Sequence, residues 1–175
     1  MAANEQEITE TKLNLIFSYG TLKRGFQNHV LMEELKATDD ASFKGVYTTM
    51  EAFPLVIGPY GIPFLINKPG SGYRIIGELY SVTGQGLARL DELEGIETGH
   101  YERLPVKVVA DGGEILAVEA YFAHRSFADD LWKKCGEGGV NEYSMEMGNK
   151  YVKRSNRPLG YTFVGEVWKF ISSTN

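Results

Sequence analysis

The sequence is poor in the residues on which several chemistries depend. One cysteine, Cys135, stands among 175 residues, so no intrachain disulfide framework can form, and with no Cys/His signature around it this thiol reads as inert. The three histidines, His29, His100 and His124, are scattered without metal-ligand spacing, and a site free of metal and cofactor is expected. Lys and Arg total 18 against 23 Asp and Glu, for a net charge of -5, and no basic block gathers anywhere, which argues against a nucleic-acid partner. No run approaches the roughly 18 apolar residues of a membrane span. The acidic stretch MAANEQEITETK lacks the basic-then-apolar order of a secretory signal, so a cytoplasmic protein with no membrane partner is expected. Absent too are the G-x-x-x-x-G-K-[ST] phosphate loop and the G-x-S-x-G nucleophile elbow.

What is present suffices for one core. Hydrophobic residues make up 43% and aromatics 12%, enough for a single domain over residues 12–175 behind a flexible leader at 1–11, acting as a monomer. Leu13, Leu15 and Phe17 alternate with Asn14, Ile16 and Ser18 in a mostly buried first strand. Further strands are expected at 43–50, 53–57, 62–66, 73–82, 104–109, 115–123 and 161–170, with turns at Gly58-Pro59, Pro69-Gly70 and Asp111-Gly112-Gly113. Short helices are expected after Asn28, over 86–94, and from Ser126 with Asp129 near the capping-box position. The glycine-rich stretch 136–160 reads as a long surface loop around a short helix at 141–147. Many strands with few helices predict an α+β fold, a small mixed β-barrel.

Two features could carry chemistry. The turn Tyr19-Gly20-Thr21-Leu22 directly follows the first strand, where glycine admits a close ligand and successive N–H groups can form an anion nest suited to a carboxylate. Taken alone, Gly20 equally serves a tight turn, the commoner use. The second feature is Glu94. At about 100° per residue, Leu87, Leu90 and Leu93 form an apolar stripe; Glu94 falls about 40° from its centre, Asp91 about 100° and Glu92 about 160°. Gly95 reads as the residue that ends the helix, leaving Glu94 in a last turn where the macrodipole is negative. Burial and dipole both raise a carboxyl pKa toward the range a general base needs. The alternative is a structural ion pair between Glu94 and Arg103. Glu78, on the same strand face as Ile76, Tyr80 and Val82, is a secondary inward carboxylate.

The motifs Y-G-T-L-K-R-G-x-x-N-H (19–29), E-A-F-P-L-V-I (51–57), I-P-F-L-I (62–66), G-E-L-Y-S-V (77–82), L-D-E-L-E (90–94) and Y-E-R (101–103) occur in order. Over about residues 15–108 the chain resembles the γ-glutamyl cyclotransferase superfamily, and within it the γ-glutamylamine cyclotransferases and the plant avirulence-induced-gene-like proteins; the resemblance fades beyond about Phe122. It implies a mixed barrel, a turn at Tyr19, Gly20, Thr21 and Leu22 that holds the glutamyl end of a small γ-glutamyl substrate, and Glu94 as the catalytic acid/base releasing 5-oxoproline and a free amine. Two rivals remain at this point: a leaving group drawn from amino acids or glutathione, and a non-catalytic binding or defence-signalling module on the same fold.

Overall fold

The computed structural model describes residues 13–174; the leader expected at 1–11 lies outside the described residues. Its strands are β1 (Asn14–Ser18), β2 (Ala41–Phe53), β3 (Leu55–Ile57), β4 (Pro63–Leu65), β5 (Tyr73–Val82), β6 (Tyr101–Val109) and β7 (Ile115–Ala123). Its α-helices are α1 (His29–Ala37), α2 (Gly84–Leu93), α3 (Ala128–Lys134), α4 (Met145–Gly148) and α5 (Phe163–Ser172). No described helix is long and apolar enough to cross a membrane.

Strands neighbour one another in the order β1-β5-β2-β6-β7, and β7 returns to β1 in parallel with Glu119 opposite Ile16. Those five strands close a mixed barrel, which removes the open edges that would otherwise invite aggregation. The β3–β4 hairpin extends from β7, with Leu65 opposite Phe122. Alternation along each strand feeds two separate cores. Phe17, Ile75, Leu79, Val106, Val108, Val118, Ala120 and Phe122 point into one, while Ile16, Tyr80, Val82, Tyr101 and Tyr121 point to the other face, where residues of α1, α2, α3 and α5 cover them. The first strand is therefore apolar on both faces because both faces are buried. Each element also carries its own local signals. The Thr83 hydroxyl caps α2 at the Gly86 N–H, and Gly95, at φ +60°, closes it in the left-handed region.

Three expectations are corrected. Residues 161–170, expected as a strand, contain most of α5: Phe163, Val164, Val167, Phe170 and Ile171 recur at helical spacing, all pack on the outer core, and Thr162 caps Gly165. The helix expected from Ser126 starts at Ala128 without a side-chain cap, because the Ser126 hydroxyl is engaged by the His124 ring; Asp129 lies in the first turn instead. The helix expected at 141–147 shrinks to α4, capped by Ser144 on the Met147 N–H. Around α4 the glycine-rich stretch is a strap held by backbone bonds, with Val140 N–H donating to Leu55, Asn141 accepting from Ile76, and Val152 N–H donating to Tyr60.

Candidate functional site

A cavity of about 350 Å³ opens where the C-terminal end of β1 meets the C-terminal end of α2, and Tyr19, Gly20, Thr21, Leu22 and Glu94 all line it. The sequence places these residues more than seventy positions apart; barrel closure brings them together. The turn after β1 is held from below. Gly20 C=O accepts from Lys23 N–H, Thr21 C=O from Asn28 N–H, and the Asn28 side chain donates to the Thr21 hydroxyl at 2.8 Å rather than capping α1. The side chains of Tyr19 and Leu22 are buried in the two cores, so these residues offer the cavity mainly backbone. Among the described residues no acceptor meets the N–H groups of Gly20, Thr21 or Leu22. Three successive unpaired amides beside a cavity form a ready anion cradle. Gly20 is needed for the shape as well, since a Cβ there would stand 2.7 Å from the Pro63 ring.

Glu94 is the residue immediately past α2, half-buried, with no hydrogen bond to its carboxyl group among the described residues. The expected alternative, an ion pair with Arg103, does not form. Arg103 pairs with Asp91 at 2.8 Å and contacts Glu119 at 3.4 Å, and Asp91 also takes the Tyr121 hydroxyl at 2.7 Å. Asp91 thereby pins α2 to β6 and β7, and Glu94, three residues on, is left unpaired. The charge on Glu94 bears on Tyr19, Tyr101 and Tyr121, yet each of these hydroxyls is engaged elsewhere, on Tyr121 C=O, Pro63 C=O and Asp91. Burial pushes the Glu94 carboxyl up to about 8, against a downward pull from Arg154, with the like charge of Asp91 adding a smaller upward push. His100, stacked on Phe163 at 4.1 Å, is pushed down to about 4 by burial and by Arg154, so it is neutral at pH 7.

Glu78 lies elsewhere. On β5 it accepts from Arg24 N–H at 2.8 Å, Arg24 Nε at 2.9 Å and the Tyr80 hydroxyl at 3.0 Å, and these partners hold its carboxyl below the usual range despite burial. It is a structural carboxylate outside the cavity formed with Glu94.

The chain as a whole has relatives among known proteins. A family model described as "Gamma-glutamyl cyclotransferase, AIG2-like" matches residues 16–138. The chain belongs to this family. An Arabidopsis thaliana protein named "Putative gamma-glutamylcyclotransferase" is 46% identical over 181 residues, covering 96% of this chain and 97% of that protein. The human gamma-glutamylaminecyclotransferase is 33% identical over 153 residues, 82% of this chain and 99% of its own. A crystal structure of an AIG2-like protein from Mus musculus superposes with a TM-score of 0.72 at 34% identity, covering 83% of this chain and 99% of that one. The family match thus runs past the limit near residue 122 at which the sequence resemblance fades.

Beyond the matched region the chain adds to the cavity wall. Tyr151, Lys153, Arg154, Arg157 and Phe163 line it, and none of them was singled out from sequence. Their signal was weak: they lie in a stretch read as surface loop, and nothing in local periodicity says that a loop folds back over a barrel end. Tyr101 and Tyr121 were missed for a different reason, since aromatic residues in strands read as core fillers, and His100, just before β6, reads as a surface filler.

Proposed function

We propose that this AIG2-like family member is a γ-glutamyl cyclotransferase that converts a γ-glutamyl amide into 5-oxoproline and a free amine, with Glu94 as its general acid/base. The observation that carries the reading is the pairing, in one cavity, of a Glu94 carboxyl raised to about 8 with the unpaired amides of Gly20, Thr21 and Leu22. The substrate's α-amine must lose a proton as it attacks its own γ-carbonyl. A peptide α-amine has a pKa near 8, and a γ-glutamyl α-amine, beside its own free carboxylate, lies higher, so an ordinary carboxylate would accept that proton against a gap of at least about 3.5 units, or about 5 kcal/mol. With Glu94 at about 8 most of that gap is removed.

In the proposed reaction the glutamyl unit is held folded against the Tyr19–Leu22 turn, with the α-nitrogen near the γ-carbon; this geometry supports ring closure because the step is intramolecular. The nitrogen bonds to the carbonyl carbon, Glu94 takes the nitrogen's proton, and turn amides stabilise the oxyanion. The carbon–nitrogen bond to the leaving amine then breaks as Glu94 returns the proton to it. Neither water nor metal is consumed.

The test is incubation of the pure protein with γ-glutamyl amines, γ-glutamyl amino acids and glutathione, with assay for 5-oxoproline. Release from at least one class, abolished in Glu94→Gln with folding intact, is the expected result. Silence across the panel together with retained binding of 5-oxoproline would favour the binding-module reading.

A further inference from the structure

We propose that a second cavity adjoining the first is the subsite for the leaving amine, and that Arg154, assisted by Lys153 and Arg157, selects an amine that carries a carboxylate. The inference rests on the cyclotransferase reading above. The second cavity, about 700 Å³, shares Ile62, His100, Arg154, Arg157 and Phe163 with the cavity that holds Glu94. A glutamyl unit seated on the Gly20–Leu22 amides has its scissile bond beside Glu94, and the part that departs extends toward this common wall.

The charges along that wall are unequal in their freedom. Arg103, which lines neither cavity, is spent on Asp91 and Glu119. Lys153 and Arg154, by contrast, have no ion pair or side-chain hydrogen bond among the described residues, although Arg154 is close enough to depress both Glu94 and His100. Arg157 is fixed in place, its Nε donating to Val152 C=O and its guanidinium 5.5 Å and 5.4 Å from the ring centres of Tyr60 and Tyr151. Two acids face the second cavity beyond the junction: Glu92, exposed, and Glu166, whose Oε1 is buried without a hydrogen-bond partner among the described residues. On the wall common to both cavities, with His100 neutral, the charged groups are the two arginines, Arg154 and Arg157, while both acids lie on the second cavity alone. A carboxylate on the departing amine would meet Arg154 there, with Arg157 beside it and Lys153 on the first cavity's side, whereas a departing group without one would leave Arg154 unpaired. Lys153, Arg154 and Arg157 lie past residue 138, where the family-model match ends.

The experiment compares γ-glutamyl-alanine with γ-glutamyl-alaninamide, which differ only in whether the leaving group bears a carboxylate, by 5-oxoproline release in the wild-type protein, Arg154→Gln and Lys153→Gln. The expected result is a wild-type preference for the acid of about tenfold or more in kcat/KM, residing mainly in KM. The ratio should fall toward one in Arg154→Gln, less so in Lys153→Gln, and should weaken as salt is raised. Intrinsic differences between the two leaving amines cancel when variant and wild-type ratios are compared. Equal wild-type kcat/KM for acid and amide, or a ratio unchanged in Arg154→Gln, overturns the inference while leaving the cyclotransferase reading intact. No 5-oxoproline from either substrate or from the wider γ-glutamyl panel overturns both.

Discussion

Two carboxylates sit on the outer face of this barrel with opposite fates. Glu78, in the middle of β5, is the more buried by surface, at 7% exposed, yet it ionises more readily than a free glutamate because Arg24 and the Tyr80 hydroxyl donate to it. Glu94, at the end of α2, keeps some contact with a cavity and yet holds its proton up to about pH 8, because burial strips water from its carboxyl and no donor offsets that loss, Asp91 having taken Arg103 and the surrounding tyrosines donating elsewhere. Burial alone does not decide the charge of a carboxyl group; the donors left over for it do. One glutamate is thereby suited to anchoring a turn, the other to moving a proton.

The sharpest way to break this contrast is to remove each carboxylate without removing its volume. Glu94→Gln should lower 5-oxoproline release by about 10²- to 10⁴-fold, the usual range for loss of a general acid/base, with little loss of stability. Glu78→Gln should do the reverse. It keeps one acceptor for the Arg24 N–H but loses a charged partner for Arg24 Nε and Tyr80, and should cost about 1–2 kcal/mol in denaturant unfolding. Turnover per folded molecule should stay within a few-fold. An inactive but stable Glu78→Gln would reverse the assignment.

How much of this contrast was legible in the sequence differs between the two sites. Helical spacing alone separated Glu94 from Asp91 and Glu92, because an apolar stripe at 3.6-residue period fixes which face is inward. It could not say that Arg103 would go to Asp91, which depends on how α2 crosses β6 and β7. Strand alternation put Glu78 on the face of Tyr80 but gave no sign of Arg24, whose approach depends on the turn that follows β1. The barrel was legible through its strand count and turns. The C-terminal wall was not: α5 alternates aromatic and aliphatic residues closely enough to pass for a strand, and only packing on the outer core settles its period. Glycine spacing marked residues 136–160 as irregular, though irregular backbone can still be firmly hydrogen-bonded, as the strap is.

A gentler probe is stability against pH. Glu94 binds its proton more tightly folded than unfolded, so the fold loses stability as pH rises from about 4.5 toward about 8. Glu94→Gln removes that loss, and its melting temperature should gain on the wild type across this window and level off above it. Glu78 binds its proton less tightly folded, so its contribution is present above about 4.5 and is lost as pH falls through its lowered pKa. Glu78→Gln should therefore be most destabilised, relative to wild type, at neutral pH and should converge with it in acid. A difference of about 1 kcal/mol would appear as a shift of about 2–4 °C. Parallel melting curves for wild type and Glu94→Gln between these pH values would mean that Glu94 titrates normally.

The smallest expected effect isolates the cause of the raised Glu94 pKa. Asp91→Asn removes the like charge next to Glu94 and frees Arg103 from its ion pair, and both changes favour the ionised form of Glu94. The acid-side limb of kcat/KM against pH, where Glu94 ionises to act as base, should therefore move to lower pH by about one unit or less, the size expected for a nearby charge that is only partly buried. The substrate's own α-amine titrates on the alkaline side as well, but it does so in free solution and cannot respond to this substitution. Any displacement of the limb thus reports on Glu94. A fall in kcat without displacement would assign Asp91 the work of positioning α2 and leave desolvation as the whole cause of the raised pKa.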